Sequence, residues 1–180
     1  MLDYINTLYK NVPTFVFEAL LSVLCIGIVI TLALKGFKKG WRVSSFLLLA
    51  AYLIFLYAST VVFRASEINQ EYNLEPFWSY QTIDEEDDFL FKENISNILA
   101  FIPLGLFIGM SFKQIKWWKV CIFALFVSIS IEVLQFFLKR GFSEFDDVMH
   151  NTLGCMMGYG IYVVARYGYG RIYKRSVGVL

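Results

Sequence analysis

Apolar positions along this chain fall in long runs separated by short polar stretches, with neither strict alternation nor a heptad repeat. A helix needs about 20 consecutive apolar residues to cross a ~30 Å hydrocarbon core. Five runs approach that length: 15–34, broken only by Glu18; 43–63; 95–112, shorter and carrying Asn97 and Pro103; 117–138, carrying Glu132 and Gln135; and 147–165, whose first turn is polar with Asp147, His150 and Asn151. Backbone in lipid satisfies its polar groups only as helices or closed barrels, and these runs are too long and uniform for barrel strands. The pattern predicts an all-α integral membrane bundle of about five transmembrane helices, a single transmembrane domain over 1–180.

Composition agrees. Hydrophobic residues make up 58% and charged ones 17%, with a mean hydropathy of +0.58, against about 25% charged in an ordinary soluble domain. The distribution of charge says more than the net +1. Lys35, Lys38, Lys39 and Arg42 lie between the first two runs, and Lys113, Lys116 and Lys119 between the third and fourth. Arg166, Arg171, Lys174 and Arg175 lie in the tail 166–180. Lys10, Arg64, Lys92, Lys139 and Arg140 fall on the opposite side. The positive-inside rule then predicts a plasma-membrane protein with its N-terminus outside and its C-terminus cytoplasmic, which requires an odd number of crossings. No cleavable signal sequence is evident, so the first run is expected to remain as an anchor.

The external loop 64–94 carries the acidic run Asp84-Glu85-Glu86-Asp87-Asp88 but no glycine for an EF-hand turn, so it reads as a solvated surface. Its Leu74, Pro76, Phe77, Trp78 and Tyr80 suit the membrane interface. Cys25, Cys121 and Cys155 each sit in an apolar run, and neither a disulfide framework nor a metal motif is present. No basic block with interleaved aromatics is present, which argues against nucleic acid. Neither a metal nor a cofactor is expected.

Polar residues inside the runs mark candidate chemistry. Ser128, Glu132, Gln135 and Lys139 share one face of the fourth run, and Asp147, Asn151, Gly154 and Gly158 one face of the fifth. Asn97, Gly105 and Gly109 line one side of the third, and the small pairs Gly105/Gly109 and Gly154/Gly158 predict close helix packing. Glu132 lies about 9 Å below the outer end of its helix at 1.5 Å per residue. An ionised carboxylate facing lipid there costs several kcal/mol in order of magnitude, so it should turn inward and meet a cation, with Arg64 and Arg140 as candidates. Topology gathers Arg64, Asn97, Glu132, Gln135, Arg140, Asp146, Asp147 and Asn151 near the outer face. The cluster reads either as a functional site or as a network that clamps helices together.

These residues resemble a known family. Asn97-Ile-Leu-Ala-Phe-Ile-Pro103-Leu-Gly105 is similar to a signature of the VanZ-like proteins, as are Glu132-Val-Leu-Gln135 and the block from Arg140 through Asp146-Asp147 and Asn151 to Gly154 and Gly158. Arg64 closes the second run as that family's pattern expects, and Asn73-Leu-Glu75-Pro76-Phe77 resembles a further family segment. The resemblance spans about 45–165. Glu75 and His150 stand where the family usually has apolar or aliphatic residues, so His150 is read as an ordinary interfacial histidine. The family takes its name from an accessory protein of glycopeptide resistance in Gram-positive bacteria that lowers susceptibility to teicoplanin-like lipoglycopeptides. The resemblance implies a family and a compartment, not a reaction; the external polar cluster and the aromatic loop add the expectation of a non-enzymatic membrane protein that alters access of lipoglycopeptides or cell-envelope lipids at the outer face. Its implied partners are membrane lipids, an amphiphilic cell-wall precursor or a lipoglycopeptide, with a homo-oligomer left open. The alternatives are a membrane enzyme acting on a lipid head group, with Glu132, Asp146 and Asp147 as acid, base or hard-metal ligands, and a small lipid transporter or flippase.

Overall fold

The structure, a computed structural model, describes residues 38–64, 72–80, 87–112 and 114–176. The first apolar run, 15–34, with Glu18 and Cys25, lies outside the described residues, as does the loop stretch 81–86. Helix α1 (Lys38–Tyr57) passes into a π-helical turn (Ala58–Val62). A two-residue strand β1 (Tyr72–Asn73) and a 3-10 turn (Trp78–Tyr80) follow. Then come α2 (Asp87–Ser111), α3 (Trp117–Leu138), a two-residue strand β2 (Ser143–Glu144) and α4 (Phe145–Ser176).

Three of these helical stretches, Arg42–Val62, Glu93–Ser111 and Trp117–Leu138, are long and apolar enough to cross a membrane. Helix α4 does not meet that measure, because its first turns are polar and it continues into the basic tail beyond residue 165. The outer surface of the bundle is what lipid as solvent demands: Ile54, Phe126, Phe137 and Val164 are each about 70% exposed, where a water-soluble monomer rarely shows so continuous an apolar surface. The interior is closed by Leu56, Phe101, Leu104, Ile108, Val120, Ile131 and Cys155.

Helix α2 packs most extensively on α4. The reason is the small residues. A Cβ on Gly105 would overlap the backbone carbonyl of Cys155; on Gly154, the carbonyl of Ile98; on Gly158, the carbonyl of Ile102. Gly109 lies under the ring of Tyr162. Helices that lack a hydrophobic driving force between them gain their association from this kind of close backbone approach. Buried hydroxyls tie the rest. Tyr52 donates from α1 to the Ala100 carbonyl of α2 at 2.6 Å, and Tyr57 shares a hydrogen bond with Ser130 of α3. Near the other end of the bundle Tyr159 of α4 donates to the Ile115 carbonyl at 2.6 Å.

The segment 72–80, expected from the sequence to be external, packs back on the bundle. Tyr72–Asn73 pairs in parallel with Ser143–Glu144, which brings the loop down onto the α3–α4 connection. This small bridge is the one departure from an all-helical architecture among the described residues.

Candidate functional site

The polar residues at the end of the bundle where α1 finishes and α4 begins form a cap, best read from α1 inward. Ser59 donates to the carbonyls of Phe55 and Leu56, and Thr60 to that of Leu56 at 2.6 Å. Such back-bonding competes with the regular helix ladder and suits the local widening to a π-turn. The carbonyl of Thr60 is then met by the Gln135 side-chain amide at 3.0 Å. In hydrocarbon an unpaired carbonyl costs several kcal/mol in order of magnitude, so Gln135 repairs the end of α1.

Arg140 acts on the same end. Helix α3 stops with Lys139 in the left-handed region (φ 53°), and the Arg140 N–H returns to the Gln135 carbonyl at 2.8 Å. That closure aims the Arg140 guanidinium at the Arg64 carbonyl, 2.6 Å away, beyond the C-terminus of the α1 turn where positive charge is favoured. Arg64 in turn lies against Gly141 (φ +89°), where a Cβ would overlap its guanidinium, and pairs with Glu93 at 3.6 Å.

The expected pairing of Glu132 with an arginine is therefore corrected. Glu132 does turn inward, being 6% exposed, but its carboxylate accepts the backbone N–H of Glu144 at 3.0 Å. Charge and depth alone could not foresee that a backbone amide of the α3–α4 connection would reach it first. Ser143 donates to the Glu132 carbonyl at 3.2 Å. Glu144 is buried and takes the Trp78 indole N–H at 3.0 Å. Burial, reinforced by the negative charge of Glu93, pushes the Glu144 carboxyl up to about 7.

Asp146 holds the loop 72–80. One oxygen accepts the Phe77 N–H at 2.6 Å; the other accepts the Ser79 N–H at 3.1 Å and the Ser79 hydroxyl at 2.6 Å. Asn94 extends the chain by donating to Ser79 at 3.1 Å. Asp146 is thus an anchor for the 3-10 turn, and its lone pairs are already committed. Asp147 accepts from Asn97 at 2.7 Å, at the outer end of the glycine seam between α2 and α4. Asn151 donates to Ser128 at 2.9 Å, joining α4 to α3. His150 is buried, and its Nε2 shares a 2.6 Å hydrogen bond with the Tyr80 hydroxyl.

Three contributors were not singled out from the sequence, Glu93, Glu144 and Ser79, and Trp78 was read only as an interfacial aromatic. Glu93 had a signal, since it precedes Asn97 by four residues on the same helix face. Ser79 had none, nor had the hydrogen bond of Trp78, because both depend on the loop folding back. Among the described residues no group of three or more His, Cys, Asp or Glu side chains is arranged to hold a metal ion.

Two openings border the cap. The larger, about 640 Å³, runs between α3 and α4 and is walled by Leu125, Ile129, Val133, Val148 and Met149, with Phe136 and Phe137 above. Tyr72 and Leu74 of the loop overhang it, and Glu132, Ser143 and Glu144 form its polar end. A smaller one, about 480 Å³, lies between the 3-10 turn and α4, bordered by Phe77, Tyr80 and His150. Neither arginine borders either opening.

The profile of the VanZ/LLP1 family matches residues 43–166, from the start of α1 through the cap to the middle of α4. The chain belongs to the VanZ/LLP1 family. Protein VanZ from Enterococcus faecium is 36% identical over 72 residues. That stretch covers 40% of this chain and 45% of the relative, so the match spans less than half of the relative's length. No solved structure matches. In this VanZ-family chain the matched region contains every residue of the cap and both glycine pairs of the α2–α4 seam.

Proposed function

We propose that this chain is a multi-pass plasma-membrane protein that, without catalysing a reaction, alters the access of amphiphilic envelope molecules at the outer face. The molecules concerned are lipid-anchored cell-wall precursors or lipoglycopeptides of the teicoplanin kind. The reading takes five crossings, with the N-terminus outside and the C-terminus in the cytoplasm, from the distribution of lysine and arginine. The observation that carries it is the 640 Å³ groove between α3 and α4. It is apolar along its length, polar at one end, and overhung by an aromatic loop. A volume in the range of about 300–1,000 Å³ with few polar groups is what a small-molecule site looks like. Such a groove offers an acyl chain a bed and its head group a polar stop.

The arginines support the cap from behind. Arg64 and Arg140 are engaged with Glu93 and with a helix-end carbonyl, so they brace the site and do not receive an anionic head group. Asp146, an acid, base or metal ligand by residue type, is committed to the loop.

The test is expression in a susceptible Gram-positive host, with susceptibility to teicoplanin and to vancomycin measured side by side. Teicoplanin carries an acyl chain and vancomycin does not, so reduced susceptibility is expected for teicoplanin first. Unchanged teicoplanin susceptibility at confirmed membrane expression counts against the proposal.

A further inference from the structure

The groove is bordered by two carboxylates, and among the described residues no cation lies within ion-pair distance of either; the charge of Arg64 reaches both only from farther away. Glu132 is 6% exposed and Glu144 7% exposed, and both border the opening. They are neighbours: the Glu144 N–H donates to the Glu132 carboxylate at 3.0 Å. The other partner of Glu144 is the neutral Trp78 indole. Among the described residues the only ion pair is Arg64 with Glu93, and Arg140 donates to a backbone carbonyl. Two acidic side chains at the end of an apolar wall, each held by neutral donors, leave room for charge-assisted hydrogen bonds to an incoming cation. A neutral head group would gain the apolar bed only, and an anionic one would meet like charge in a poorly screened setting.

We propose, building on the groove as the amphiphile site, that its ligand is an amphiphile whose head group bears a protonated amine. The alkyl chain lies between Ile129 and Val133 of α3 and Val148 of α4, and the ammonium donates to Glu132 and Glu144. An ammonium has three donors in a compact head, which suits two neighbouring carboxylates that border one groove.

Three probes of equal chain length separate head-group chemistry from apolar partition: photoreactive dodecylamine, dodecanol and dodecanoic acid. Each is added to the full chain reconstituted in phosphatidylcholine nanodiscs, and adducts are mapped by mass spectrometry. The amine is expected to label residues on the groove walls about tenfold more efficiently than the alcohol, and the acid least. Glu144→Gln and Glu132→Gln should each erase the advantage of the amine over the alcohol. If Glu132→Gln does not fold, Glu144→Gln alone decides, since its amide oxygen still accepts from Trp78. Equal labelling by all three probes overturns the amine proposal and leaves the groove as an unselective amphiphile bed. An advantage for the acid, or an amine advantage that survives both substitutions, overturns it as well. Absence of any probe from the groove walls overturns the amine proposal and the reading of the groove together.

Discussion

Helix α4 meets its two neighbours in opposite ways. Toward α2 it presents Gly154 and Gly158, and the backbones come so close that a single methyl group has no place. Toward α3, near the outer end, it presents Phe145, Val148 and Met149, and the helices stand apart around a groove of about 640 Å³. One helix thus carries a close-packed seam on one side and a groove on the other. Small residues at every fourth position make the seam, as expected for association driven by packing. The cap sits across both. Asn97 and Asp147 lock the top of the seam, while Glu132, Ser143 and Glu144 finish the groove. The close-packed α2–α4 pair, against which α3 leaves a gap, is the frame on which the proposed site rests.

The strongest way to break this contrast is to thicken the seam. Gly105→Leu drives a side chain into the Cys155 carbonyl and should cost about 3 kcal/mol or more, seen as loss of monodisperse protein in detergent extracts. Next in size is the anchor of the loop. Asp146→Asn turns one acceptor oxygen into a donor facing the Ser79 N–H and hydroxyl, for a loss of about 2 kcal/mol. Its signature is faster hydrogen exchange over residues 72–80 with the helices unchanged.

A smaller effect follows from Glu144. Its carboxyl titrates near about 7 when folded against an ordinary value of 4.5, so the native state binds more protons than the unfolded chain across that window. Stability therefore falls as pH rises from about 4.5 to about 7. Glu144→Gln keeps an acceptor for Trp78 and removes the titration. It should raise the melting temperature above pH 7, do little near pH 4, and flatten the slope between. The smallest effect sharpens the comparison from the other side. Gly160 lies on α4 with nothing among the described residues near a prospective Cβ, and Gly160→Ala should be neutral or stabilise by up to roughly 1 kcal/mol in the same thermal assay.

Much of the helix framework was legible because lipid imposes a length and a composition. The run 117–138 is α3 to the residue, and the run 43–63 matches α1 with its π-turn. The third run begins about two turns late, since Asp87 to Asn94 is helical but too polar to look like a span. The fifth ends early for the same reason, as α4 carries on through basic residues. Within the cap, the sequence put the acidic and amide residues at one level by counting turns. It misassigned the partner of Glu132, because pairing by charge ignores backbone donors, and here the N–H of Glu144 is closer than either guanidinium. Apart from Glu132 and Leu74, which border it, the groove had no sequence signal. Its lining residues read as ordinary lipid-facing Leu, Ile, Val and Phe, and an empty space between helices is not a property of any one position.

The central claim is that this groove is where the chain meets its amphiphile, and filling it is the most direct measurement. Ile129→Trp and Val133→Trp each place an indole in the opening from a lipid-facing position on α3, where a large aromatic is tolerated. In a host where the unmodified chain lowers teicoplanin susceptibility, both variants should reach the membrane at normal levels and lose that effect. Full retention of the effect by both, with the groove filled, would contradict the account.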